Sequence, residues 1–339
     1  MIEPRLGPLS WAEYEGFLAQ PGVQGSTIYH HPLWLRTVEE GLGMRVVLLG
    51  LRQSSDLVGV IPGFIVRKGP IRLFGSPLRG SMTPHLGWVF AAGQPPAGLT
   101  ALNAVYRFCR SDLGCQYVET GFLNSPPDLA EGSVDGAWRV EHPGAYILDL
   151  RGGEAQLWKN VSESGRLKVK QARKKGVVIE PVAEAAFMDE YFEILQKTFK
   201  RHGVISPHRK RFFEVLHRHF MPRQMMEVLA AKHEGRVISV GIFIHDGREI
   251  HFKSGASLAE FHHLRPNNLL HWHVISQSAA RGLERYDLGG KGLASIDTFK
   301  ETFGPRSYAS TTLWRASALV GLARRMAVRA LPHYQTLQY

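Results

Sequence analysis

Two long apolar runs joined by a short polar turn occur twice in this chain, with the copies about 180 residues apart. The first copy runs Arg45–Leu51, turns at Gln53–Asp56 and continues as Leu57–Val66. The second runs Met226–Lys232, turns at His233–Arg236 and continues as Val237–His245. β-branched and aliphatic residues on both sides of a turn rich in Ser, Asp or Gly predict an antiparallel hairpin in each place. The downstream pattern repeats as well. Apolar stretches at Ile71–Phe74 and Leu86–Phe90, a helix near Gly98–Arg110 and a strand at Cys115–Thr120 follow the first hairpin. A strand at Glu249–Lys253, a helix from about Pro266 to Gly282 and a strand at Arg285–Gly289 follow the second. Self-similarity at so long a period predicts two copies of one α/β (α+β) unit, each with a mixed, mostly antiparallel sheet. A strand-like Tyr146–Leu150 meeting Gly152-Gly153 places the joint there, giving domains at 1–150 and 151–316. Short helices are expected at Pro8–Ala19 and Pro32–Gly41, the second stopped by a glycine C-cap.

Composition narrows the function classes. With 44% hydrophobic and 21% charged residues the chain is globular rather than disordered. Its two cysteines, Cys109 and Cys115, form neither a disulfide framework nor a zinc-ribbon spacing, which points to a reducing, cytoplasmic setting. The N-terminal Met1–Arg5 lacks an apolar signal region, and no run reaches the ~18 apolar residues that span a bilayer. A net charge of +11 favours a polyanionic partner: nucleic acid, a phosphorylated metabolite or an anionic membrane face. The 16 histidines include the pairs His30-His31, His217/His219, His262-His263 and His271/His273, whose spacings diverge on a helix, so no metal site is expected. A serine-nucleophile elbow is absent.

Short motifs in a fixed order carry a family resemblance. They are Trp34–Arg36 in an early helix, the basic run Arg166–Gly176, Lys200–Gly203 ahead of a Phe212-Phe213 helix, Lys253–Ser257, Arg265–Asn268, Tyr286–Gly290 and Thr298–Gly304. In this order the chain resembles the Fem family of aminoacyl-tRNA-dependent transferases, in the branch without a long coiled-coil arm. The resemblance is strongest after Arg151 and implies two tandem N-acetyltransferase-like (GNAT) domains, the second catalytic.

The resemblance also implies a reaction, in which an amino acid moves from a charged tRNA to an amine on a cell-wall precursor or a small natural-product intermediate. An aminoacyl ester is already activated, so the main requirement is a cation or N–H group aimed at the developing oxyanion. Phe299-Lys300 matches the family's Phe-Lys pair and makes Lys300 the expected oxyanion donor; a surface lysine beside packed Phe299 and Phe303 is the plainer alternative. Arg36, and either Arg209 or Arg211, match basic positions that meet acceptor phosphates, a task suited to the planar guanidinium fork; for Arg36 an exposed helix residue is the plainer alternative. Lys253, Asn267 and Asn268 fall in family motifs that bind substrate. Glu119 is the nearest acid to a family carboxylate, and Asp287 orients Lys300 or substrate, or simply serves the strand end.

Arg166, Lys168, Lys170, Arg173, Lys174 and Lys175 put six basic residues in one short run with no acid. It reads either as a tRNA-phosphate contact or as a solvated helix face. No cofactor is expected beyond aminoacyl-tRNA as co-substrate, the acceptor being a small or lipid-linked molecule and the protein a monomer. A basic stretch at Leu313–Leu331 predicts a C-terminal helix, 317–339, that packs back on the first domain or approaches a membrane surface. Two rival functions stay open. An acyl-CoA-dependent N-acyltransferase would need a glycine-rich pyrophosphate loop, where the sequence instead reads Phe261–Asn268 with Pro266 in place of a donor. A non-catalytic tRNA- or membrane-binding member of the fold would keep the architecture without the chemistry.

Overall fold

In the computed structural model, which describes residues 5–93, 98–122, 129, 137–201, 206, 208–322 and 326, both apolar repeats form antiparallel hairpins at the heart of separate sheets. The chain divides into two compact units, Met1–Pro143 with Ala309–Tyr339, and Gly144–Tyr308.

The first unit opens with an edge strand β1 (Arg5–Pro8) and helix α1 (Trp11–Leu18). Sequence reasoning started that helix at Pro8. It begins instead after Ser10, whose side chain accepts from Glu13 N while the Glu13 carboxylate accepts from Ser10 N, a reciprocal cap that satisfies two end donors. Helix α2 (Pro32–Leu42) has proline in its first turn and ends at left-handed Gly43. Its 3.6-residue period buries Trp34, Leu35 and Val38 and turns Arg36 outward. Strands β2 (Arg45–Gln53), β3 (Asp56–Lys68), β4 (Ile71–Ser76), β5 (Val89–Phe90), β6 (Tyr117–Phe122) and β7 (Arg139–Glu141) come next, with helix α3 (Gly98–Ser111) between β5 and β6.

The sequence pattern makes Leu313 onward helical. Thr311–Ala316 is a strand, ordered between β6 and β7 in the sheet β1-β2-β3-β4-β6-(311–316)-β7, with β5 on β3. Two β-branched threonines and a fully buried Leu313 favour the pleated site, and Arg315 lies over the Tyr106 ring at 4.2 Å. Helix begins only at 318; Arg324, Arg325 and Arg329 lie outside the described residues.

In the second unit the strands are β8 (Gly144–Asp149), β9 (Val178–Pro181), β10 (Met226–His233), β11 (Arg236–His245), β12 (Glu249–Ser257), β13 (Arg285–Gly290) and β14 (Arg306–Ala309), which makes the strand at 311–316 β15. The helices are α4 (Gly153–Asn160), α5 (Glu163–Lys174), α6 (Phe187–Arg201), α7 (Lys210–Phe220), α8 (Pro266–Ala280) and α9 (Ala294–Glu301). Sheet order is β14-β8-β13-β12-β11-β10-β9. Tyr146–Leu150, grouped with the first domain on sequence, lies in this unit because β8 pairs antiparallel with β13. Helices α4, α5 and α8 pack over a core containing Trp272, Tyr286 and Phe303, with Trp158 and Trp272 at 4.5 Å.

The two units share the path hairpin, strand, helix, parallel strand: β2-β3-β4-α3-β6 in one and β10-β11-β12-α8-β13 in the other. Each sheet is mixed: β4 pairs parallel with β6 and β12 parallel with β13, while the hairpin strands beside them pair antiparallel.

Candidate functional site

The parallel pairing of β12 with β13 lasts three residues, Glu249–His251 against Arg285–Asp287, and then ends while β12 continues to Ser257. Where two parallel strands stop pairing, side chains and free carbonyls face a gap rather than a neighbour, so polar groups gathered there are candidates for chemistry. Asp287, Lys253 and Lys300 are all buried at this point. Asp287 Oδ1 accepts from Gly289 N at 2.7 Å, and Oδ2 lies 3.2 Å from Nδ1 of His251. Gly289 adopts φ +89°, which turns the backbone back so that its N–H reaches the carboxylate.

Lys300 comes from α9, with Phe299 and Phe303 in edge contact at 5.5 Å on the core side. Its ammonium donates to Gly290 O at 2.6 Å and lies 5.8 Å from the Tyr146 ring centroid. Burial lowers the Lys300 pKa, while Asp287 and Asp297 act to raise it. Behind it, His271 shares a 2.7 Å hydrogen bond with the Tyr286 hydroxyl and packs 5.2 Å from Phe299. Burial, aided by the Lys300 charge, holds His271 down at about 3, so this imidazole is neutral at physiological pH. The arrangement can hold one fixed cation beside a carboxylate on an apolar floor, which suits stabilisation of an oxyanion.

Residues 160–301, which hold this constellation apart from Tyr146 and Phe303, match the family profile described as "Acetyltransferase (GNAT) domain". UDP-N-acetylmuramoylpentapeptide-lysine N(6)-alanyltransferase of Weissella viridescens is 27% identical over 153 residues. That alignment spans 42% of this chain and 43% of the alanyltransferase, so less than half of the relative's length is matched. The crystal structure of FemX superposes with a TM-score of 0.66 at 12% identity, over 94% of this chain and 99% of FemX. The chain shares the fold of FemX, and its residues 160–301 are similar to an N-acetyltransferase domain. A tandem GNAT protein from the clavulanic acid biosynthesis pathway shares the fold at a TM-score of 0.54 and 12% identity, over 93% of this chain and 98% of the other.

Of the residues singled out on the Fem-like pattern, Lys253, Asp287, Phe299 and Lys300 come together in the second unit. Asn267 and Asn268 begin α8; Asn267 is tied by its side chain to Ser239 of β11, and Asn268 is buried. Arg209 and Arg211 are exposed at the start of α7, while His202, Gly203 and Pro207 lie outside the described residues. In the first unit, Arg36 pairs with Glu15 at 3.2 Å and lies over the Trp11 ring at 4.6 Å. Glu119 is buried on β6 and accepts from the Tyr117 hydroxyl at 2.9 Å.

The basic run forms α5 and sorts into two groups. Arg166 caps the carbonyls that end α4, Lys159 O at 3.1 Å and Val161 O, and Lys175 donates to His263 O at 2.8 Å. Lys170, Arg173 and Lys174 are exposed, and Lys168 is half-buried. Among the described residues no group of three His, Cys, Asp or Glu is arranged to hold a metal ion, and no helix is long and apolar enough to cross a membrane.

Sequence reasoning did not single out His251, Tyr286, Tyr146 or His208 for this site. His251 and Tyr286 were readable in principle as polar or amphipathic residues inside apolar strands, because such residues need a buried partner. Tyr146 and His208 left no comparable signal, since their place depends on long-range packing.

Proposed function

We propose that this Fem-like chain transfers an amino acid from aminoacyl-tRNA to an amine, on a cell-wall precursor or a small natural-product intermediate, in the cytoplasm. The reading rests on Lys300: a buried ammonium held by one carbonyl where β12 and β13 part company. An ammonium has three donors, and Gly290 O takes one, leaving donors for a developing oxyanion. The acceptor nitrogen attacks the ester carbonyl, the negative charge grows on its oxygen towards Lys300, and the bond to the terminal ribose oxygen of tRNA then breaks. Asp287 favours the charged form of Lys300 against the burial that lowers its pKa. Lys170, Arg173 and Lys174 offer the phosphate-binding face, with Lys168 at its margin, and the protein works as a monomer without a cofactor beyond the tRNA co-substrate.

The similarity to an alanyltransferase named for the lysine of UDP-N-acetylmuramoyl-pentapeptide supports amino-acid transfer to an amine of this acceptor class. Transfer of a radiolabelled amino acid from bulk charged tRNA to that nucleotide-linked pentapeptide should be abolished by RNase and not restored by coenzyme A thioesters. Full activity with an acyl-CoA and no RNA would overturn the reading in favour of an acyl-CoA-dependent enzyme.

A further inference from the structure

Two lysines of the second unit share one carboxylate. Asp287 is electrostatically coupled to both Lys253 and Lys300, but the two ammonium groups have different surroundings. Lys300 is fixed by Gly290 O and faces Asp297 as well as Asp287. Lys253 sits in a β-bulge: Phe252 of β12 faces Phe243 of β11 and Ser254 faces Ile242, so Lys253 is the extra residue. A bulge bends its strand and re-aims the side chain it inserts. Here it lies two residues beyond His251, the last position at which β12 and β13 pair.

Among the described residues, groups near Lys253 come from several elements. Asp287 faces it from β13, His251 precedes it on its own strand, and His208 approaches from the segment leading into α7. From α6, the Tyr191 hydroxyl donates to Ser254 Oγ at 2.6 Å, closing the side next to the bulge. Burial pushes the Lys253 ammonium down to about 7, with Asp287 opposing the fall. Burial and the nearby Lys253 charge together hold His208 at about 4, so His208 is neutral when Lys253 titrates. Burial opposes the charge of both lysines, but only Lys253 is re-aimed by a bulge beside the end of the parallel pair, while Lys300 is held by a carbonyl.

We propose that Lys253 is the general base of the reaction, its neutral amine taking the proton from the acceptor nitrogen as that nitrogen attacks the aminoacyl ester. The assignment rests on the transferase reading above. The nitrogen–carbon bond forms, the carbonyl electron pair moves onto the oxygen facing Lys300, and the nitrogen's proton passes to Lys253 Nζ. On collapse the carbonyl re-forms, the carbon–oxygen bond to the ribose breaks, and Lys253 returns its proton to the ribose oxygen. No oxidant, reductant or further reactant enters.

Two measurements test this together. In protein labelled with 13C,15N-lysine, the Nζ resonance that disappears in Lys253→Arg should titrate near neutrality, well apart from exposed lysines at about 10.4. In transfer from alanyl-tRNA to UDP-N-acetylmuramoyl-pentapeptide, Lys253→Arg should lose about 10²-fold or more in kcat with little change in donor KM. The acid limb of the wild-type kcat/KM profile should vanish in that variant. Lys253→Met, which keeps the side-chain length without a base, guards against misfolding of the arginine form: folded by circular dichroism, it should be equally slow. A Lys253 resonance that titrates with the exposed lysines overturns the proposal. So does a folded variant that keeps the wild-type rate and acid limb, and in that case the transferase reading stands. Absence of transfer by the wild-type chain overturns that reading and the base with it.

Discussion

Each unit contains one parallel strand pair formed after the same hairpin, yet the ends of the two pairs are filled differently. In the first unit β4 and β6 pair from Leu73–Ser76 against Tyr117–Thr120, and the next carbonyl, Gly121 O, meets backbone: Trp88 N donates to it at 3.4 Å. A Cβ placed on Gly121 would sit 2.9 Å from Leu86 O, and one on Gly87 would collide with Gly121 O itself. Main chain from residues 86–88 thus closes that end. In the second unit Gly290 O, three residues past the last paired position, meets the Lys300 ammonium, with Asp287 and Lys253 alongside. One topology therefore carries two outcomes: a pair sealed by backbone and a pair lined with titratable side chains. The groups packed against the end of each parallel pair, and not the fold itself, decide whether a site exists there.

The sharpest way to break this comparison is to remove the charge that distinguishes the second unit. Lys300→Met keeps the aliphatic stem between Phe299 and Phe303 and deletes the ammonium, so the fold should survive. Turnover in the tRNA-dependent assay should fall by about 10²- to 10³-fold, equivalent to ~2.7–4 kcal/mol, with little change in substrate affinity. Wild-type turnover in the folded variant would remove the lysine from the mechanism and favour a non-catalytic member of the fold.

A second test uses the same unit's stability. Lys253 releases its proton near 7 in the folded chain and near the ordinary lysine value when unfolded. Between those two values the unfolded chain binds the extra proton, so raising pH favours the folded state; below about pH 7 both states are protonated and the burial penalty is constant. Each unit of displacement corresponds to about 1.4 kcal/mol. Lys253→Met should therefore melt above the wild type near pH 6, with the gap narrowing as pH approaches 10. A gap that does not change with pH would contradict the buried, depressed lysine.

The first unit should respond to the opposite kind of change. Gly87 has φ +129° and sits against Gly121 O, so Gly87→Ala combines an unfavourable backbone region with a main-chain clash. A loss of roughly 2–4 kcal/mol in chemical denaturation is expected. Stability close to wild type would show that the backbone seal is loose.

Both hairpins and the helix after each were legible because they depend on local period and spacing, whereas Phe299-Lys300 stood out only through its resemblance to the Fem pattern. Three features were not. The strand at Thr311–Ala316 crosses back into the first unit's sheet, and β8 belongs to the second; strand pairing between distant segments leaves no trace in local period. The bulge at Lys253 arises from a one-residue slip against β11, visible only once the partners are known. The basic run looked uniform, and only packing separates Arg166 and Lys175, which serve backbone carbonyls, from the outward-facing members.

That separation yields the smallest and most specific expectation. If α5 meets tRNA phosphates, each exposed cation that makes a contact releases about one counterion, so losing it should weaken binding and shallow the salt slope by roughly one unit. Arg173→Ala and Lys174→Ala should do this while leaving thermal stability near wild type, since both side chains are exposed. Arg166→Ala should behave differently: its guanidinium ends α4 by capping Lys159 O and Val161 O, so its loss should lower stability by about 1 kcal/mol. Its effect on the salt slope should be smaller than that of either exposed residue. Equal slope changes in all three variants would mean that the whole helix face, caps included, lies on the nucleic acid. Unchanged slopes in Arg173→Ala and Lys174→Ala would return α5 to an ordinary solvated helix and leave tRNA to another surface.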